Sequence, residues 1–248
     1  MKEKVEVKEY NKYMLPLSIV IAGIIIAGSI YLSSKAQNNT SNPQKTNKTT
    51  TSTQTNSTTS NNSIKATVSL GTNPILGNKK TAKVAIVEFG DFQCPYCKNF
   101  DNSTFPLIKD NYINNGKVLF AFRDYPLETL HPLALGMAVE SRCFAEQGKY
   151  WQFVNKMYST SQNNNTASVV LGYAKNMHLN IATYQSCVSK DTFLSQIKAD
   201  ISTGNNIGIQ GTPTFIIGKL NKGKITGQLI LGAYPFSYFQ GIINQYLN

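Results

Sequence analysis

The stretch Val84-Ala-Ile-Val-Glu-Phe-Gly-Asp-Phe-Gln-Cys-Pro-Tyr-Cys97 decides how this chain is read. Val84 to Phe89 is an apolar run, apolar at successive positions, as in a strand buried on both faces of a parallel-type sheet. Two cysteines separated by two residues follow, and then a helix-like segment. Strand, Cys-x-x-Cys and helix in that order form a redox signature. Two thiols one helical turn apart close into a disulfide with little backbone movement. The first, Cys94, falls at the start of the helix, where unpaired N–H groups and the macrodipole favour an anion. Cys94 is therefore expected to have a lowered pKa and to be the attacking thiolate. Pro95 suits the first helical position. Cys97, one turn in and less exposed, is the expected resolving thiol.

Glu88 interrupts the apolar run, six residues before Cys94. A strand leading straight into the dithiol puts this carboxyl beneath it, desolvated and with a raised pKa, able to relay a proton to or from Cys97. The alternative is an exposed glutamate near the strand end. Half a zinc site is the other reading of Cys94 and Cys97. Zinc takes four ligands, and Cys143, Cys187, His131 and His178 offer no second spaced pair, so no metal is expected.

The 248 residues carry a formal net charge of +11. From Lys65 onward, 17 basic residues face 10 acidic ones, a surplus of 7. The basic residues are scattered along the sequence rather than interleaved with aromatics, which argues against nucleic acid and for weak attraction to an anionic membrane surface.

Residues 1–13 alternate lysine and glutamate, and 14–32 are nearly all apolar. Nineteen helical residues span roughly 28 Å, close to the ~30 Å hydrocarbon core. Lysines precede this segment, which puts the N-terminus in the cytoplasm and the rest outside. Its length favours an uncleaved anchor over a cleaved signal peptide. Residues 33–63 are almost all Asn, Thr, Ser, Gln and Lys, the composition of a disordered tether with a coil span of roughly 30 Å. Asn38, Asn39, Asn47, Asn56 and Asn61 head Asn-x-Ser/Thr sequons, which arise by chance in such a tract as readily as by design.

After the dithiol, Phe100, Phe105 and Ile108 mark one inward face, with a kink expected at Pro106. Val118 to Arg123 is the next strand and closes a βαβ unit. From His131 to about Thr203 apolar residues recur at helical period, enough for four or five helices. His131 and His178 read as structural. Gly211-Thr-Pro-Thr-Phe-Ile-Ile217 opens another strand, and proline at the head of a central strand suits a cis Thr212–Pro213 bond beside the dithiol. Backbone groups of Thr212 would then be open to an extended substrate. Lys219 to Gly223 reads as a turn, Ile225 to Leu231 as its hairpin partner, and Phe236 to Leu247 as an amphipathic helix.

Three motifs in order, Val87-Glu-Phe-Gly-Asp-Phe-Gln-Cys-Pro-Tyr-Cys97, Phe122-Arg-Asp-Tyr-Pro-Leu127 and Gly211-Thr-Pro-Thr-Phe215, resemble the DsbA-like branch of the thioredoxin superfamily. The resemblance covers roughly Asn73 to the C-terminus. It implies an α/β thioredoxin fold with an inserted all-helical domain, here preceded by a transmembrane helix and a disordered linker. The core would occupy 64–130 and 204–248, and the insertion 131–203. It implies a thiol:disulfide oxidoreductase in which Cys94 is the nucleophile, Cys97 its partner, Pro213 the cis proline and Glu88 the buried acid. Pro95, Tyr96 and Thr212 would face substrate. No cofactor is implied. The partners would be exported proteins with cysteines, and a membrane quinone-linked thiol oxidase for recycling. Members similar to this chain often carry the pair Cys143 and Cys187. Outside the membrane these are expected to form a structural disulfide, the alternative being two buried thiols. Pro-Tyr in place of Pro-His between the cysteines removes an imidazole that would favour the thiolate, so a less extreme potential is expected. Reductase or isomerase action stays open. A non-catalytic binding module and a glutathione-dependent glutaredoxin are the remaining readings.

Overall fold

The computed structural model describes residues 64–248. The expected anchor at 14–32 and linker at 33–63 lie outside the described residues. No helix among the described residues is long and apolar enough to cross a membrane.

A six-stranded mixed sheet forms the centre, in the order β1 (Lys65–Ser69), β6 (Lys224–Leu231), β5 (Thr214–Asn221), β3 (Val84–Gly90), β4 (Val118–Asp124), β2 (Ile75–Leu76). Only β3 and β4 run parallel, with Val84 opposite Val118 and Gly90 opposite Asp124. The other pairings are antiparallel. Both strands of the parallel pair are buried along their whole length, which is why they read as continuous apolar runs.

Each face of the sheet has its own core. On one, Val84, Ile86, Phe120, Phe215 and Ile217 meet α1 (Pro95–Ser103), α2 (Phe105–Ile108) and the C-terminal helix α8 (Phe236–Leu247). The Phe100 ring lies 4.4 Å from Phe215 and 5.3 Å from Phe239, centroid to centroid. On the other, Ala85, Val87, Phe89, Leu119 and Ile216 meet Tyr125 and Ile209.

The expected kink at Pro106 takes the form of an interruption at Thr104, which keeps helical backbone (φ −94°, ψ −42°) between α1 and α2. Pro106 sits in the first turn of α2, where its missing N–H costs nothing, and a π-helical turn at Lys109–Ile113 leads out. The turn expected at Lys219–Gly223 is shorter: β5 continues to Asn221, leaving Lys222 and Gly223, both at positive φ, to reverse the chain. Edge strand β1 and the two-residue β2 have no counterpart in the sequence reading.

Between β4 and β5 lie five helices: α3 (Ala134–Glu146), α4 (Tyr150–Ser159), α5 (Ala167–Asn176), α6 (Ile181–Ser189) and α7 (Leu194–Asn206). Asn180 caps α6 by accepting from the Thr183 N–H. Phe144, Phe153, Met157, Val170, Ala174 and Ile197 fill a separate helical core, so this insertion buries its own apolar set. Cys143 on α3 and Cys187 on α6 are joined by a disulfide, 5.9 Å apart at Cα and 44 residues apart in sequence. Cross-linking a loop of that length constrains the unfolded chain. Cys143→Ala/Cys187→Ala is therefore expected to cost about 2–4 kcal/mol, read by urea unfolding at constant pH. An unchanged midpoint would contradict a structural role for the bond.

Candidate active site

The parallel strand β3 delivers its C-terminal end, Gly90-Asp91-Phe92-Gln93, straight to the N-terminus of α1. Cys94 is the N-cap residue of that helix, with extended backbone (φ −70°, ψ 123°), and Pro95 follows in the first turn. Its carbonyl accepts the first helical bond, from the Lys98 N–H at 3.1 Å. The structure holds Cys94 and Cys97 as a dithiol. Cys97 is fully buried, and Cys94 exposes only 3% of its surface, while Tyr96 between them is 66% exposed. The site therefore presents one narrow sulfur window beneath a projecting tyrosine.

Two cysteines on one turn have opposite acidities. Cys94 is lowered to about 6. The largest cause is the hydrogen bond from the Cys97 thiol. Burial opposes the shift, and the Thr212 side chain and the N–H groups of Cys97 and Tyr96 add to it. Cys97 is pushed well up, first by burial, then by its hydrogen bond to Cys94 and by the nearby Glu88 carboxyl. The pair thus divides into a nucleophile that ionises readily and a partner that keeps its proton.

The Thr212–Pro213 peptide is cis. The Thr212 carbonyl does not stand open as expected: Cys94 Sγ donates to it at 3.2 Å. The buried Thr212 hydroxyl has no other hydrogen-bond partner among the described residues, and it favours a thiolate at Cys94.

Glu88 lies on the buried face of β3, 3% exposed, and its Oε1 has no hydrogen-bond partner among the described residues. Burial raises its pKa well above the ordinary carboxyl value, with Asp101 and Cys94 adding like charge. Asp101, one turn beyond Cys97 on α1, is itself raised to about 7, chiefly by burial and against the pull of Lys109. A buried carboxyl whose pKa is raised, near a thiol that must gain or lose a proton, is placed to exchange one with it.

Sequence reading missed Asp91 and assigned His131 no partner. Asp91 is buried and gathers the loop before the dithiol. Its carboxylate accepts from the Gln93 N–H at 2.7 Å and the Leu127 N–H at 2.8 Å, and lies 2.8 Å from His131 Nδ1. Its carbonyl accepts from the Cys94 N–H at 3.1 Å and from the Tyr158 hydroxyl at 3.3 Å. One residue thereby fixes the Cys94 backbone to the Leu127–His131 segment and to α4. The only signal in the sequence was an aspartate three residues ahead of a helix start, ordinary for a turn. His178 is exposed, at positive φ after α5.

The comparisons with known proteins agree with this geometry. A family model described as Thioredoxin matches residues 69–227. Disulfide bond formation protein D of Bacillus subtilis (strain 168) is 30% identical over 161 residues, covering 63% of this chain and 72% of that protein. The crystal structure of Wolbachia pipientis alpha-DsbA1 superposes with a TM-score of 0.62 at 26% identity, covering 71% of this chain and 90% of that one. Oxidised BdbD from Bacillus subtilis gives 0.60 at 26% identity, covering 71% and 92%. The chain also spans 20% of the length of Na(+)/H(+) antiporter NhaA 3 of Salinispora tropica, and nothing of transport follows from so small a share. With a dithiol at a helix tip, a mixed sheet and a helical insertion, the chain belongs to the thioredoxin superfamily, as a DsbA-like thiol:disulfide oxidoreductase.

Proposed function

We propose that this oxidoreductase works outside the cytoplasmic membrane, tethered to it by residues 14–32, and forms disulfides in exported proteins. One observation carries the reading: Cys94 caps the N-terminus of α1 against the cis Thr212–Pro213 loop, where the hydrogen bond from Cys97 lowers its pKa to about 6. A stabilised thiolate is a good leaving group, and it favours the reduced enzyme, which makes the oxidised enzyme the stronger oxidant. The apolar segment and its flanking lysines support the location, as does the Cys143–Cys187 disulfide, a bond of oxidising compartments. The Bacillus subtilis relative is itself named for disulfide bond formation.

A substrate thiolate attacks Sγ of Cys94 in the oxidised enzyme. The new S–S bond forms, the Cys94–Cys97 bond breaks, and Cys97 leaves as a thiolate. Glu88 hands it a proton. A second substrate thiolate then attacks the substrate sulfur of the mixed disulfide and expels Cys94 as a thiolate. The substrate has lost two electrons and the enzyme has gained them. A membrane quinone-linked thiol oxidase would take them on. Tyr96, Pro95 and the Thr212 backbone would bracket the incoming peptide.

Refolding of a reduced substrate by the oxidised enzyme tests the direction. Recovery of native disulfides at catalytic enzyme concentration is the expected result. Turnover confined to insulin reduction, or to rescue of scrambled disulfides, would place the enzyme among reductases or isomerases instead. Protease accessibility of the folded domain in intact cells tests the location.

Glu88→Gln probes the relay. Unfolded, Glu88 ionises in the ordinary carboxyl range; folded, it keeps its proton to higher pH. Its contribution to stability therefore declines as pH rises above the unfolded value, until the folded group also ionises. Glu88→Gln is expected to be more stabilising at pH 7 than at pH 4.5. It is also expected to slow exchange at pH 7 by about tenfold or more. Unchanged rates across that pH range would remove Glu88 from the mechanism.

A further inference from the structure

The lysines that look scattered in the sequence are gathered by the fold. The N-terminal ends of β3 and β4 meet at one pole of the sheet, opposite the dithiol, and β5 ends and β6 begins there. Lys79, Lys80 and Lys83 lie on the approach to β3, and Lys109 and Lys117 on the approach to β4. Lys79, Lys80 and Lys109 share the rim of one concavity, and Lys83 and Lys117 that of a second. Lys219 pairs opposite Val84, and Lys222 and Lys224 complete the adjoining turn. All are exposed. None takes part in the ion pairs found among the described residues. The acidic groups at this end are Asp110, which accepts from Asn114, the partly buried Asp101, and the chain terminus at Asn248. Seven residues of strand, roughly 20 Å, separate this pole from the active site.

We infer that this lysine pole docks on an anionic lipid bilayer and turns the Cys94 window away from it. The occupant follows from chemistry. No arginine belongs to the patch, so it offers point charges spread over a face rather than forks that grip one phosphate. Charges so spread suit a two-dimensional field of headgroups. The inference rests on the proposed tether, which keeps the bilayer within reach. The chain starts β1 near the dithiol end, where the Ile64 carbonyl accepts from the Leu229 N–H. A short tether would draw that end to the membrane. The 33–63 tract, with an expected coil span of roughly 30 Å, is long enough for the opposite pole to reach it instead.

Lysine acetylation of the full chain in nanodiscs, read by mass spectrometry, tests this. In anionic discs Lys79, Lys80, Lys222 and Lys224 are expected to react about fivefold more slowly than in zwitterionic discs. Lys175 and Lys190 on the insertion serve as controls with equal rates. Protection should vanish at about 1 M salt, where screening acts over ~3 Å. K79Q/K80Q/K222Q/K224Q should abolish the protection of Lys83 and keep insulin turnover. Equal rates in the two discs would overturn the proposal. Protection by soluble polyphosphate but not by anionic discs would overturn the lipid assignment in favour of a polyanionic polymer. A chain recovered free of the discs would defeat the tether alone, and the same labelling with anionic vesicles added would still decide the docking.

Discussion

Cys94→Ser is expected to abolish dithiol–disulfide exchange, with turnover falling by roughly 10³-fold or more. Cys97→Ala is expected to fail differently. It keeps the nucleophile but loses the thiol that turns a mixed disulfide back into an enzyme disulfide. Covalent enzyme–substrate adducts should therefore accumulate, visible on a non-reducing gel and as a mass increase on the Cys94 peptide. The same variant removes the first cause of Cys94 acidity, the hydrogen bond from Cys97. Its Cys94 should titrate above about 6 and react more slowly at neutral pH. Adducts on Cys94→Ser, with Cys97 attacking instead, would reverse the assignment of roles. That outcome has a physical obstacle: Cys97 is fully buried and its thiol is held protonated.

Arg142→Met is expected to destabilise the fold by about 3–5 kcal/mol. Two arginines and two aspartates meet under the junction of core and insertion. Arg123 Nε donates to Asp200 Oδ1 at 2.7 Å. Arg142 donates from Nε to Asp124 Oδ2 at 2.7 Å and from Nη2 to Asp200 Oδ2 at 2.6 Å. Asn73 adds a bond to Asp124, and Thr72 and Gln196 accept from Arg142 Nη1. All four charged side chains are at most 5% exposed. The network ties the end of β4 to α3 and α7, so it sets where the insertion sits relative to the core. Its balance is close: burial raises Asp124 to about 6 even with Arg142 beside it. Removing Arg142 strands the Asp124 carboxylate in a dry site with only Asn73 beside it and leaves Asp200 to Arg123 alone, a larger loss than the pair was worth when whole. Thermal unfolding should show a fall of roughly 10 °C for a chain of this size. A fall under about 2 °C would mean that water enters the junction and the charges were never desolvated.

How much of this was legible depended on distance along the chain. β3 could be read because burial on both faces makes five of the six choices from Val84 to Phe89 apolar, and only Glu88 broke the run. Cys94, Cys97 and Glu88 lie within ten residues, so spacing alone set them on one strand–helix turn. Thr212 and Pro213 were legible because proline at the head of a strand is costly without a purpose. β1 escaped because an edge strand buries only Val68 among its five residues, which leaves no alternation to detect. β5 was cut short because Lys219, Leu220 and Asn221 resemble a turn once the sheet no longer covers them. Asp91 and His131 sit 40 residues apart, and their contact is a product of the parallel crossover rather than of either segment. The lysine pole was invisible for the same reason. Its members come from five separate strand ends and turns, each carrying one to three charges, and only the sheet order sums them.

Cys94 is an ionised nucleophile near neutral pH because of where the helix and its partner thiol place it. Alkylation of the reduced protein with iodoacetamide across pH 4–10, followed by peptide mapping, tests this most directly. Cys94 is expected to show a midpoint at about 6, with Cys97 unmodified until far higher pH. A Cys94 midpoint near the ordinary thiol value of about 8.5, or modification of Cys97 first, would contradict it.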